Sequence, residues 1–112
     1  MKFYTNLEQS RKLAEILPVE SADMFFADGE RPAIWNNKDA GLDDEDIPCW
    51  SLAALMNIMR LDYYIVRTLD ILTSSFTYSI HAGYFDIETG EYENLVDACV
   101  EMISKLHEQK LL

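Results

Sequence analysis

The last segment of the chain places the strongest constraint on its fold. On a helical wheel Leu95, Cys99, Met102 and Leu106 form one apolar stripe, and Val96, Val100 and Ile103 form a second beside it. Together they cover about 200° of the circumference, roughly twice what a one-sided surface helix requires. Such a helix must meet more than one surface, either two layers of its own domain or a sheet and another chain. Asn94 stands where it can cap the first turn, Asp97 supplies negative charge there, and Lys105 and Lys110 lie near the opposite end. The inner stripe of Leu95, Cys99, Met102 and Leu106 is expected to face a sheet. The outer edge, Val96, Val100 and His107 with Leu111 beyond, is the candidate interaction surface. It should meet the first helix through Leu7, Ala14 and Leu17, or a second subunit across a two-fold axis.

A first helix is expected over residues 5–17, opened by a Thr5/Glu8 capping box and ended by Pro18. Asp23-Met24-Phe25-Phe26-Ala27 and Ala33-Ile34-Trp35 read as short strands around the turn-like Asp28-Gly29-Glu30. Residues 36–46 have no apolar period and read as an acidic loop. A central helix should begin near Pro48 or Ser51, with Leu52, Leu55, Met56 and Met59 as its stripe. Tyr63-Tyr64-Ile65-Val66 is β-branched and aromatic. Phe76, Tyr78 and Ile80 alternate with Thr77, Ser79 and His81, as a strand would, after a turn at Thr73-Ser74-Ser75. Gly83 breaks that pattern as a bulge or tight turn would, and Thr89-Gly90 reads as a hairpin turn before Glu91-Tyr92-Glu93. Residues 61–72 are ambiguous, since their apolar run also suits a continued second helix. Connections this short require antiparallel pairing. The expected fold is one α+β domain over residues 1–112, a small antiparallel sheet packed with about three helices, N-terminal, central and C-terminal.

Composition narrows the function classes. With 112 residues and 49% of them hydrophobic, the chain has the makings of a single packed core. Its 20 acidic against 9 basic side chains leave a charge of −11, and no basic patch suits it to a nucleic-acid backbone. No apolar run approaches a membrane span, and residues 1–11 lack the apolar stretch of a secretory signal. Cys49 and Cys99 read as free thiols in a reducing, cytoplasmic setting.

The chemistry-bearing residues give few constellations. Asp39, Asp43, Asp44, Glu45 and Asp46 invite a cation, but aligning Gly41 with the EF-hand glycine puts Lys38 and Ala40 at ligand positions. A solvated loop is the preferred reading, with those five acids only weak metal candidates. Cys49, His81, Cys99 and His107 lack the short pair spacing of structural zinc. No glycine-rich loop cradles a phosphate, and no cofactor is expected. Trp35 and Trp50 suit a core better than a groove.

Three blocks resemble a family of small uncharacterised proteins of gut Bacteroides-type bacteria and their phages and mobile elements. They are Glu8-Gln9-Ser10 through Leu13-Ala14-Glu15-Ile16-Leu17-Pro18 with Glu20-Ser21-Ala22-Asp23-Met24; Ile47-Pro48-Cys49-Trp50-Ser51-Leu52-Ala53-Ala54-Leu55; and Asp97-Ala98-Cys99 with Lys105-Leu106-His107-Glu108 and Lys110-Leu111-Leu112. The resemblance spans under half of the chain. It implies a cytoplasmic bacterial accessory protein and carries over no site. The function expected is non-enzymatic: a small acidic protein that binds another protein or itself as a homodimer. The alternatives are a DNA mimic, with acids at 39–46 and at Asp86, Glu88, Glu91, Glu93, Asp97 and Glu101 standing in for phosphates, and a small hydrolase using carboxylates or Cys49.

Overall fold

A computed structural model describes residues 2–27, 31–36, 38–59 and 62–112. The turn expected at Asp28-Gly29-Glu30 and the end of the central helix at Arg60 and Leu61 lie outside them. The fold is α+β, with three α-helices and two three-stranded antiparallel sheets among the described residues, where one small sheet was expected. In chain order the elements are α1 (Leu7–Ala14), β1 (Met24–Phe26), β2 (Pro32–Ile34), β3 (Ile47–Cys49), α2 (Leu52–Ile58), β4 (Tyr64–Asp70), β5 (Ser75–Ala82), β6 (Ile87–Glu88) and α3 (Leu95–Glu108). The sheets run β2-β1-β3 and β4-β5-β6. No helix among the described residues is long and apolar enough to cross a membrane.

The first helix starts two residues late because Thr5 is needed elsewhere. The capping box is Asn6 with Gln9: the Gln9 N–H donates to Asn6 Oδ1 at 2.8 Å and the Asn6 N–H to Gln9 Oε1 at 3.1 Å. Thr5 is buried instead, its N–H bonded to the Trp50 carbonyl at 2.9 Å and its hydroxyl accepting the Trp50 N–H at 3.2 Å. Ser10 meets that same hydroxyl at 2.7 Å, so two buried polar side chains satisfy each other. The helix also ends early, at Ala14. Ile16 and Leu17 both donate to the Leu13 carbonyl, a tightened last turn that brings Leu17 into the core while Ala14 stays exposed.

Pro48 does not open the central helix. It lies in β3, opposite Phe25, on a sheet edge where a missing N–H costs no ladder bond. Ser51 is the cap, accepting the Ala54 N–H at 3.2 Å while its own N–H donates to Asp23 Oδ1 at 2.8 Å. Trp50, fully buried, donates its indole N–H to Ser21 Oγ at 3.0 Å. Downstream, residues 64–70 are strand and not helix. Thr89-Gly90 is likewise no hairpin turn. His81 faces Glu88, yet Tyr78 faces Tyr92, so the third strand holds one extra residue and bulges at 89–91. The Ile80 N–H donates to Thr89 Oγ1 at 2.9 Å, and the Thr89 N–H returns to the Ile80 carbonyl at 3.0 Å.

The wide apolar arc of α3 is covered by the chain itself. The helix packs on α2 and β5, and also touches α1 and β6. Val96, Ala98, Cys99, Val100, Met102, Ile103 and Leu106 are all buried. At its C-terminus the Leu111 N–H bonds the Leu106 carbonyl and the Lys110 N–H the His107 carbonyl, a Schellman ending with Lys110 at φ 58. Its N-terminus is tied to α1. Asp97 accepts from Lys2 Nζ at 2.7 Å, from Gln9 Nε2 at 2.6 Å and from Asn94 Nδ2 at 2.8 Å.

Burial pushes the Asp97 carboxyl up, but the bonds from Lys2, Gln9 and Asn94, with the Lys2 charge, outweigh it and hold its pKa below the ordinary 3.8. A depressed folded pKa adds stability that is present above the unfolded value and lost as pH falls through the folded one. Asp97→Asn should therefore melt below the wild type at pH 7. The gap should close as pH drops below 3.8; equal gaps at pH 7 and in strong acid, followed by circular dichroism, would refute the account.

Candidate interaction surface

The β4–β5 hairpin leaves the body of the molecule as an amphipathic arm. Register sets Ile65 against Ile80, Arg67 against Tyr78 and Leu69 against Phe76 on one face. Tyr64 with His81, Val66 with Ser79 and Thr68 with Thr77 form the other. At its root the apolar face is core, since Ile80 is fully buried. Ile65, opposite it, is 37% exposed, and towards the tip the same face runs into solvent: Leu69 is 51% exposed and Phe76 41%, and the turn residues Ile71 and Leu72 reach 83% and 97%. The Arg67 guanidinium lies over the Phe76 ring, 4.4 Å from its centroid. The turn is built by Asp70, whose Oδ1 accepts the Leu72 N–H at 3.0 Å, and by Ser74 at φ 55.

The polar face holds a chain of three groups. Ser79 Oγ lies 3.0 Å from His81 Nε2, and His81 Nδ1 lies 3.2 Å from Glu88 Oε2. Tyr64 stacks on the imidazole at 5.0 Å and 8°. Hydroxyl, imidazole and carboxylate follow the order of a hydrolase triad. The nucleophile position is closed, however. Ser79 is only 6% exposed, and the neighbouring hollow of about 300 Å³ is lined by Tyr64, His81, Gly83, Asp86, Ile87 and Glu88 without it. A substrate carbonyl would need open space at Ser79 Oγ. The trio instead fastens β5 to β6.

The residues singled out from sequence fall into separate places. Val96 and Val100 are buried within the chain's own core and have almost no surface to offer a partner. His107 and Leu111 line an open apolar groove of about 480 Å³ with Ile16, Leu17 and Pro18, which follow α1, and with Ile58 of α2. Asp39, Asp43, Asp44 and Glu45 are exposed. Asp46 accepts the Asp43 N–H at 3.1 Å. Among the described residues no three His, Cys, Asp or Glu side chains converge to hold a metal. In the second acidic cluster Asp97 is committed to Lys2, Gln9 and Asn94, and Glu101 accepts the Gly90 N–H at 2.7 Å, so two of the phosphate stand-ins serve the fold.

Cys49 is no activated nucleophile. Burial pushes its thiol pKa up, opposed by bonds with Thr5 and Ser10 and reinforced by Asp23; burial pushes Cys99 up to about 12. The two strands and their turn near Thr73-Ser74-Ser75 are as the sequence leads one to expect; the exposure of their apolar face is not. Arg67 interrupts the apolar face of β4, and Ile71-Leu72 beside Leu69 imitates a helical run.

Two measurements check this assignment. Neither thiol should react with a disulfide reagent in buffer, while both should react in denaturant; fast labelling of the native protein would overturn the burial. Millimolar calcium should leave the melting temperature unchanged within about a degree. A rise of several degrees that Asp43→Ala/Asp44→Ala/Glu45→Ala abolishes would restore the cation site.

No family model matches the chain, and neither a curated protein nor a solved structure matches it.

Proposed function

We propose that this chain is a non-enzymatic, cytoplasmic accessory protein that acts by binding a protein surface through the β4–β5 arm. One observation carries the reading: the apolar face that is core at Ile80 continues uncovered through Phe76, Leu69, Ile71 and Leu72. Monomeric proteins seldom expose apolar patches beyond a few hundred square ångströms, and larger ones mark contact sites. The two free, buried thiols accord with a reducing compartment. The hydrolase alternative, on carboxylates or Cys49, meets a fully buried thiol, the Ser79–His81–Glu88 chain seen in the fold lacks access to its hydroxyl, and the DNA-mimic alternative loses Asp97 and Glu101 to the fold.

The test is Ile71→Asp/Leu72→Asp. Both side chains are exposed, so stability should stay within about 0.5 kcal/mol of the wild type. Cross-linking in cells of the native host, followed by mass spectrometry, should recover a protein with the wild type and lose it with this variant. Identical cross-link profiles would overturn the reading.

A further inference from the structure

Among the described residues the two sheets have four edge strands, and three of them are blunted. Pro32 opens β2, Pro48 sits in the middle of β3, and β6 is two residues long and runs straight into a bulge. Proline, shortness and bulges are the devices by which sheets refuse a further strand. The fourth edge, β4, is seven residues long with no Pro or Gly, and nearly all of it is exposed. Its outward N–H and C=O groups are a ready template. We propose that a second copy of this chain pairs on it, β4 against β4 in antiparallel sense, joining two sheets into one of six strands. This names the partner of the arm and rests on the reading of the arm as a contact surface.

Three observations favour a second copy as the occupant. First, the side chains that a β4–β4 pairing would set beside one another are apolar and exposed, Ile65 at 37%, Leu69 at 51%, Ile71 at 83% and Leu72 at 97%. Second, residues 71–85 form the longest stretch without Asp, Glu, Lys or Arg in a chain of charge −11, so two copies repel least there. Third, the strand is compatible with its own two-fold. A two-fold pairing must centre on one residue, because facing side chains share a face. Centring on Arg67 would set like charges against each other. Centring on Thr68 pairs Thr68 with itself, Arg67 with Leu69 and Val66 with Asp70, and brings the Ile71-Leu72 turn beside Ile65 and Tyr64 of the other copy. No like charges then meet.

Sedimentation equilibrium of the full chain at about 0.5 mM should give twice 12.9 kDa. Dissociation should weaken several-fold between about 50 mM and about 500 mM salt as the mutual repulsion is screened. Single cysteines at Arg67, Thr68 and Leu69, beside the buried native thiols, should give a disulfide-linked dimer fastest for Thr68→Cys, whose two copies face each other within bonding distance. A monomer at both salts, or fastest linkage at another position, overturns the proposal as stated. If the wild type is monomeric yet Ile71→Asp/Leu72→Asp still loses its cellular cross-link, the arm contacts a different protein and only the second copy is refuted. If neither assay responds, both readings fail.

Discussion

The burial of α3 is the constraint around which the molecule is arranged. Half of its fourteen residues are buried, on an arc too wide for any single surface. The chain answers by bringing α2, β5, α1 and β6 against it. Each large side chain so covered contributes roughly 1.5–3 kcal/mol relative to exposure. Polar ties then fix the neighbours in place: Asp97 holds Lys2 and Gln9, Glu101 holds Gly90, and Lys105 Nζ reaches the Glu88 carbonyl at 2.7 Å. Three successive turns of one helix thereby set α1, the bulge and β6. The root of β5 is anchored by the same packing, which is why the hairpin can extend from it.

Elements written in local chemistry were legible before the fold. Asn94 caps α3, Ser51 caps α2, and the alternation of residues 76–81 is a strand, because caps and period-two patterns depend on neighbours a few residues away. The failures share a cause too. Thr5 looks like a cap as readily as Asn6 does, and only the distant Trp50 decides between them. Pro48 suits a helix start until β1 arrives to make it an edge. Thr89 suits a turn until Ile80 claims both its hydroxyl and its N–H. The proposed contact surface shows only in the fold for a related reason. The arc of α3 advertises apolar surface in sequence, yet tertiary packing absorbs it, whereas the arm shows itself only once Ile80 is seen to be buried and Phe76 is not.

The arm and the chain's charge belong to one design. An uncovered apolar hairpin on a neutral protein would invite indiscriminate association. Here the charge of −11 lies wholly outside residues 71–85, so approach is least opposed along the turn and β5 of the hairpin. Arg67 adds a local restraint. Packed on Phe76, it is a charge set into an apolar face, and any strand that lies alongside must place a neutral or acidic residue opposite it. Pairing on β4 also ends where it begins. The proposed two-fold contact would use the open edge of both partners, and among the described residues Pro32, Pro48 and the bulge after β6 leave no second template from which a fibre could grow. In the proposed pairing, one open edge among three closed ones would limit the assembly to two copies, with the acidity of the remaining surface opposing further association.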